Sequence, residues 1–288
     1  MSFERLDNAT PMAVHAEVLD DRSGREVLTV IAKMTWTVSA EGAATLAAKP
    51  SPVRERDVWT GEPGSSSLRF PSDLCPEKPG TDVILLGTAY SASEVRLRLE
   101  AARGALQKSA RVLSPAESVN LASAGFGPIA AHQAPRADFA GTYDDAWRRD
   151  RAPLPPADRD PRFYCCAAPG LWIEEPLRGD EPVEIFGATP AGLWRFRLPF
   201  YAPVFTCVLR GDARACATHL DTFLIDADAG RVELTFRTSL PAPRKLQAID
   251  RVKITDGARL PDSAWTEACE RPTVDDDDDR DDDEEEAV

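Results

Sequence analysis

The amino-acid sequence predicts a mainly β fold: an antiparallel β-sandwich or barrel-like sheets with a long irregular insertion that carries a short helix. Runs rich in β-branched and aromatic residues recur toward both ends of the chain and are separated by turn residues. Between them, residues 114–182 mix proline, glycine and aromatic residues without sustained periodicity. Helical patterns between the strands, which βαβ units require, do not appear.

The first predicted strand covers Glu26–Val38, and Ala13–Leu19 is its hairpin partner across the turn Asp20–Gly24. The nearly continuous apolar run Asp82–Ala89 predicts a strand buried on both faces. Apolar and charged residues alternate along Glu94–Glu100, as expected of a half-buried strand.

The irregular insertion contains one predicted helix, with Thr142 as its N-cap and Asp144 and Asp145 in its first turn. Tyr143 and Trp147 are four residues apart, so they would share one face of this helix. The surrounding prolines forbid long helices. The many aromatic residues argue against disorder, so we expect an ordered segment that wraps a sheet.

Short strands separated by turns return after the insertion. They are Val183–Phe186, Leu193–Leu198, Val204–Arg210, Leu220–Ile225 and Val232–Arg237. The predicted organisation is an N-terminal β region (1–113), the wrapping segment (114–182), a C-terminal β region (183–256), and a linker with a disordered acidic tail (257–288). Residues 1–256 could instead form a single domain.

Composition and charge exclude several classes of function. Apolar residues make up 43% and charged residues 28% of the 288, as in soluble globular proteins. No apolar run approaches the roughly 20 residues that cross a bilayer, so membrane insertion is not expected. The first residues lack the pattern of a signal peptide, which predicts a cytoplasmic location.

The net charge of −14 is concentrated in the tail, where eleven acids and one arginine between residues 275 and 286 give −10 and leave −4 for the rest. Without surplus basic charge, extended nucleic-acid binding is not expected. The tail is expected to be solvated and dispensable for folding. Alternatively, it could screen a basic patch on the body or loosely collect divalent cations.

The sequence predicts no catalytic residue, metal site or cofactor. His15 and His219 lie in predicted strands, and neither zinc-ligand spacing nor a glycine-rich phosphate loop is present. Six cysteines without a C-x-x-C pair are expected to be reduced and mostly buried. The alternative from another class is a hydrolase that uses Ser65–Ser67 and His132, although this serine stretch is not a G-x-S-x-G elbow.

Six motifs occur in order along residues 8–240. They are Trp59–Leu74, Lys78–Tyr90, Gly125–Ile129, Gly141–Asp144 with Trp147, Asp160–Tyr164 and Leu177–Pro182. This order resembles a bacterial family long catalogued only as a domain of unknown function. Its members are encoded beside type VI secretion spike and PAAR-tip genes, and some act as effector adaptors or chaperones.

The chain departs from the family pattern at three places. The family usually has a longer segment before its Gly-Phe-Gly-Pro motif, where this chain has only Ser114–Ala124. Gln133 stands where the family often has tryptophan, and Cys165 stands where it tends to have asparagine. A surface built by that loop would be trimmed, so the identity of the partner cannot be carried over.

The resemblance implies an adaptor or chaperone that binds a secretion effector or a PAAR-containing carrier, with the spike protein as a further partner. A structural component of a contractile injection particle is a third alternative. The residues expected to contact a partner are Trp59, Arg69, Asp73, Phe126, Tyr143, Trp147, Arg148, Arg151, Arg162 and Phe163. Arg69, Asp73, Asp160 and Arg162 could instead pair to hold loops over a sheet.

Overall fold

The computed structural model describes residues 3, 5–90, 94–101, 104–111, 119–122, 124–174, 177–242 and 248–257. These residues form many strands and one α-helix, which confirms the prediction of a mainly β fold. The predicted disordered tail lies outside the described residues.

In chain order the strands are β1 (Leu6–Asn8), β2 (Ala13–Asp20), β3 (Glu26–Val38), β4 (Ala44–Leu46), β5 (Val58–Trp59), β6 (Leu68–Phe70), β7 (Thr81–Leu86), β8 (Thr88–Ala89), β9 (Glu94–Ala101), β10 (Gly104–Arg111), β11 (Val119–Asn120), β12 (Trp172–Ile173), β13 (Pro182–Phe186), β14 (Leu193–Arg197), β15 (Pro203–Leu209), β16 (Asp212–Cys216), β17 (His219–Asp226), β18 (Arg231–Pro241) and β19 (Ile249–Asp256). The helix α1 covers Asp145–Asp150, and 3₁₀ helices cover Ala137–Phe139 and Pro161–Tyr164.

The largest sheet has the order β12-β7-β17-β18-β3-β2, with β4 paired to the end of β3. Its neighbouring strands are antiparallel except β7 and β17, which are parallel. Two four-stranded sheets have the orders β10-β9-β13-β14 and β1-β19-β15-β16, and two further pairs are β11-β8 and β5-β6. No sheet closes into a barrel in the part of the chain that the structure describes.

The β-branched run Glu26–Val38 forms β3 as predicted, and its hairpin partner β2 extends one residue further, to Asp20. Every residue of β7 is buried, as the continuous apolar run indicated. The prediction of one continuous strand over Asp82–Ala89 was wrong. Gly87, with a φ of 134°, breaks it into β7 and β8, because this backbone conformation interrupts a regular ladder.

The predicted N-cap was also wrong, because Asp144 caps α1 instead of Thr142. The Asp144 carboxylate accepts a hydrogen bond of 2.7 Å from the Trp147 amide, three residues along the chain. Thr142 bonds to Asp158 instead, its hydroxyl donating over 2.7 Å. Tyr143 therefore precedes the helix, although its ring still contacts that of Trp147.

One hydrophobic core joins the sheets. Alternate residues of β3, such as Val30 and Met34, pack in the same cluster as Leu97 of β9 and Val252 of β19. Phe126 of the irregular insertion is part of this cluster and is completely buried. The insertion thus contributes to the core as well as covering the sheets.

Among the described residues, no helix has the length and apolar character needed to cross a membrane. Five of the six cysteines are described and none forms a disulfide: Cys75, Cys165 and Cys166 are buried, and Cys207 and Cys216 are half-buried. Cys269 lies outside the described residues.

Candidate functional site

The candidate site is the exposed side of the irregular insertion, which begins at α1. Trp147 is half-buried, and its indole Nε1 donates to the Leu154 carbonyl over 2.8 Å. Arg151 donates to the Pro155 carbonyl over 2.8 Å and to the Arg22 carbonyl over 2.7 Å. These bonds hold α1 and the chain after it against the turn between β2 and β3.

Tyr143 is the most exposed aromatic side chain of this region, at 50%. Its ring meets the ring of Trp147 edge-on, with centroids 4.6 Å apart. Arg159 donates to the Tyr143 hydroxyl and, over 3.2 Å, to the Ala140 carbonyl. The exposed ring is therefore fixed from two sides.

Arg159 is the centre of the site, although it was not among the contact residues predicted from the sequence. Its guanidinium carbon lies 4.5 Å from the centroid of the Phe163 ring and 5.9 Å from that of Tyr143. The sequence signal was its place in the run Arg159-Asp160-Pro161-Arg162-Phe163, which brings two arginines among aromatic residues.

The 3₁₀ helix Pro161–Tyr164 positions the remaining members. Asp160 caps it by accepting from the Arg162 amide over 2.9 Å, and the same carboxylate pairs with the Arg162 guanidinium at 2.6 Å. This confirms that Asp160 and Arg162 pair. The Arg162 guanidinium also lies 4.2 Å from the centroid of the Phe139 ring. The aromatic–arginine surface is defined here as Phe139, Tyr143, Trp147, Arg159, Arg162 and Phe163.

Charge is balanced across this part of the chain. Between residues 136 and 164 there are six arginines and six aspartates, and no lysine or glutamate. Arg148 pairs with Asp145 at 2.7 Å, and Arg149 pairs with Asp150 at 2.8 Å. The arginines beside Trp147 therefore present hydrogen-bond donors and flat cationic groups, but this part of the chain has no net charge.

Trp59 and Arg69 lie on the β5–β6 hairpin. The Trp59 ring stacks on that of His132, with centroids 6.2 Å apart and an angle of 12° between the planes. Arg69 is exposed and lies over the Phe70 ring at 5.4 Å. The stack on His132 joins this hairpin to the irregular insertion.

Asp73 and Phe126 were expected to contact a partner, but both lie in the interior. Phe126 is completely buried and Asp73 is 7% exposed. Phe126 is a core side chain and Asp73 forms an internal ion pair, so neither residue belongs to a surface that a partner can reach.

Asp73 belongs to a group of buried charges on one face of the largest sheet, which the sequence analysis did not predict. We call this group the buried ionic layer. Its members are Lys33, Arg54, Asp73, Lys78, Asp82, Asp221, Glu233 and Arg237. Four are basic and four are acidic, so the layer is neutral. Arg54 has the most exposed side chain, at 13%, and the other seven are exposed by 5% or less.

Each charge in the layer meets an opposite one. The Lys33 ammonium contacts the Asp73 carboxylate, and Lys78 Nζ lies 2.6 Å from Asp82 Oδ2. The two terminal guanidinium nitrogens of Arg54 donate to the Glu233 carboxylate over 2.7 and 2.9 Å. A buried ionic layer therefore fastens the irregular chain before β7 to the sheet.

In three groups of the layer, the pKa reflects a competition between burial and these contacts. Burial alone would raise the pKa of Asp221, but Arg237 and Lys78 bring it below the ordinary value. Burial would likewise raise the pKa of Glu233, and the Arg54 hydrogen bonds and Lys33 outweigh this. Burial lowers the pKa of Lys78, but Asp82 and Asp221 raise it by more.

The groups named for the hydrolase alternative have local partners. The hydroxyls of Ser65 and Ser66 donate to the Glu62 carbonyl over 3.2 and 2.9 Å, within their own turn. His132 stacks on Trp59, as described above. In the described ranges, no group of three or more His, Cys, Asp or Glu residues is arranged to hold a metal ion.

The fold and this surface define a mainly β protein whose irregular insertion displays fixed aromatic and arginine side chains. The chain belongs to a bacterial family described as "Uncharacterized protein conserved in bacteria (DUF2169)", whose model matches residues 23–117 and 105–237. This confirms the expected membership in a bacterial family of unknown function. No curated protein and no solved structure shows a significant match to the chain.

Proposed function

We propose that this protein is an adaptor or chaperone of type VI secretion, which binds an effector or its PAAR-containing carrier and helps to load it on the spike. The order of the six sequence motifs supports the secretion context, because it resembles the family whose members are expected beside spike and PAAR-tip genes. The mechanism is binding and shielding of apolar surface before loading, without bond chemistry.

The observation that carries the proposal is the aromatic–arginine surface. Tyrosine, tryptophan and arginine are the side chains that most often dominate the energy of protein interfaces. Tyr143 is half exposed and yet held by Trp147 and Arg159. A side chain that is already fixed loses little conformational freedom on binding, which favours affinity.

Four of the six motifs lie in the irregular insertion, and three of them support the same surface. Gly141–Asp144 carries Tyr143 and the N-cap of α1, and Asp160–Tyr164 carries the 3₁₀ helix with Arg162 and Phe163. Gly125–Ile129 anchors the insertion through Phe126 in the core. The motifs therefore include both the contact residues and the residues that position them.

The test is purification of the tagged protein from the bacterium that encodes it, followed by identification of the co-purifying proteins and isolation of intact secretion particles. An adaptor co-purifies with a PAAR-domain protein or an effector and is left behind when the particle is isolated. A structural component stays in the particle, and that result would replace the adaptor proposal.

The hydrolase alternative has its own test, a screen of ester and amide substrates. Turnover that is lost in Ser65→Ala, Ser66→Ala or His132→Ala, but kept in Tyr143→Ala, would favour hydrolysis over adaptor function. Complex formation with a PAAR-domain protein that persists in His132→Ala would support the adaptor.

A further inference from the structure

The outer face of the sheet β10-β9-β13-β14 carries a concentration of arginines. Arg96 and Arg98 of β9 and Arg195 and Arg197 of β14 point outward, with side chains 44–65% exposed. The register places Arg98, Glu184 and Arg195 in one row across three strands. We call this surface the arginine face.

The arginine face is positively charged. Arg111 pairs in register with Glu94, so this fifth arginine lies on the same face. Five arginines lie beside four acids, Glu94, Glu100, Glu184 and Asp180, the last 3.3 Å from Arg197, so the net charge is +1. The outer face of β19 has fewer basic residues, Arg251 and Lys253. The carboxylate of Asp7 in β1 lies 3.9 Å from Arg251.

The present partners of these arginines are exposed and exchangeable. Arg98 pairs with Glu100 at 2.8 Å and Arg195 with Glu184 at 2.6 Å, and all four side chains are 38–65% exposed. Exposed ion pairs of this kind contribute only about 0–1 kcal/mol. A ligand with many carboxylates can therefore replace these partners at low cost.

The last described residue leaves the sheets beside this face. An open groove of about 520 Å³ lies at the edge of β14; Arg195, Arg197 and Phe200 line it, and so do the acids Glu41, Asp180 and Glu184. Two residues after Phe200, the Ala202 carbonyl accepts a hydrogen bond of 2.9 Å from the Gly257 amide. The chain after Gly257 therefore starts next to the groove.

The acidic run 275–286 has the charge and the reach to occupy this surface. It holds eleven acids and one arginine, and it begins 18 residues after Gly257. Eighteen residues span up to roughly 60 Å, whereas four strands are roughly 14 Å across. We propose that this acidic run docks on the arginine face.

The test uses the full chain and a labelled synthetic peptide of residues 275–286. In the neutral-tail chain, Asn and Gln replace Asp and Glu between residues 275 and 286. Fluorescence anisotropy should show that the peptide binds the neutral-tail chain at least tenfold more tightly than it binds the natural chain, because the natural tail competes. Binding should weaken several-fold between 50 and 300 mM salt, since it depends on exposed charges.

Two sets of substitutions in the neutral-tail chain locate the site. Replacing Arg96, Arg98, Arg195 and Arg197 with Gln should weaken peptide binding at least tenfold. The matched control replaces Arg25, Arg148, Arg149 and Arg251 with Gln, each of them exposed and within 4 Å of a carboxylate. Equal loss in both sets, or equal binding to natural and neutral-tail chains, would overturn the proposal. The comparison of the natural chain with the neutral-tail chain remains valid even if the variant with Arg96, Arg98, Arg195 and Arg197 replaced does not fold.

Discussion

Arg237 Nε lies 2.5 Å from Asp221 Oδ2, and the two side chains are 2% and 0% exposed. The same guanidinium donates to the carbonyls of Asp73 and Cys75, which belong to the irregular chain before β7. One buried arginine therefore joins two strands of the largest sheet to the segment that covers them. Asp221 Oδ1 has no hydrogen-bond partner among the described residues, so this carboxylate depends on the arginine.

Replacing Arg237 with Met should destabilise the protein by about 3–5 kcal/mol, because it leaves Asp221 buried without its partner. Urea unfolding measures this loss. The control is Arg195→Met, which breaks an ion pair of 2.6 Å with Glu184 whose arginine is 65% exposed, and it should cost about 0–1 kcal/mol. Similar losses in the two variants would show that the buried pair is not what holds the covering segment.

Stability should fall in acid through Asp221 and Glu233. Their pKa values are lower in the folded protein than the ordinary values of 3.8 and 4.5. A carboxylate with a lowered folded pKa stabilises above its unfolded pKa, and this contribution is lost as the pH falls through the folded value. We therefore expect a decreasing free energy of unfolding below about pH 4.5.

The variant Glu233→Gln isolates one of these contributions. Its free energy of unfolding is expected to be lower than that of the natural protein at pH 7, and the difference should shrink toward pH 3. Urea unfolding at a series of pH values provides the comparison. A difference that stays constant over this range contradicts the assignment of a lowered pKa to Glu233.

Trp147→Ala should affect both stability and binding, because the side chain is half-buried and donates to Leu154 while its ring supports Tyr143. We expect a loss of about 1–3 kcal/mol in stability, typical of a substitution that removes packing and a hydrogen bond. Trp147→Phe keeps an aromatic ring beside Tyr143 and should lose less. Binding lost at least tenfold with an unchanged melting temperature would make Trp147 a contact residue only.

Asp144→Ala should weaken α1 by about 0.5–2 kcal/mol, since the Trp147 amide loses its acceptor. Hydrogen exchange at this amide should become faster. Thr142→Ala is the control from the position that the sequence analysis selected, and it should leave exchange at Trp147 nearly unchanged. Faster exchange at the Trp147 amide in Thr142→Ala, with unchanged exchange in Asp144→Ala, would show that Thr142 is the N-cap.

Strand positions could be predicted from sequence because β-branched runs and alternation act locally, as in β3 and β9. The buried ionic layer could not be predicted in this way. Lys33, Glu233 and Arg237 alternate with apolar residues, a pattern that also describes a strand with one face in water. Their burial depends on a segment containing Asp73, 40 residues from Lys33 along the chain.

The aromatic–arginine surface could be predicted only in part, because some of its contacts are local in the sequence and others depend on the tertiary structure. Tyr143 and Trp147 stood out because of their spacing, and they do contact each other. Arg159 acts through tertiary contacts with rings up to 16 residues away, which spacing alone does not reveal. The buried ionic layer also had a signal in the sequence. Asp82 is a charged residue in the strand that was expected to be buried on both faces.

Binding of a PAAR-containing carrier or its effector is proposed to occur at the aromatic–arginine surface. Calorimetric titration of the full chain with the PAAR-domain protein encoded nearest to it tests this most directly. We predict saturable binding that weakens at least tenfold, about 1.4 kcal/mol, in Tyr143→Ala. Tyr90→Ala is the matched control, since Tyr90 is 52% exposed and lies elsewhere, and it should leave binding unchanged. Absence of binding by the natural chain, or equal affinity of the two variants, would show that this surface does not bind the carrier.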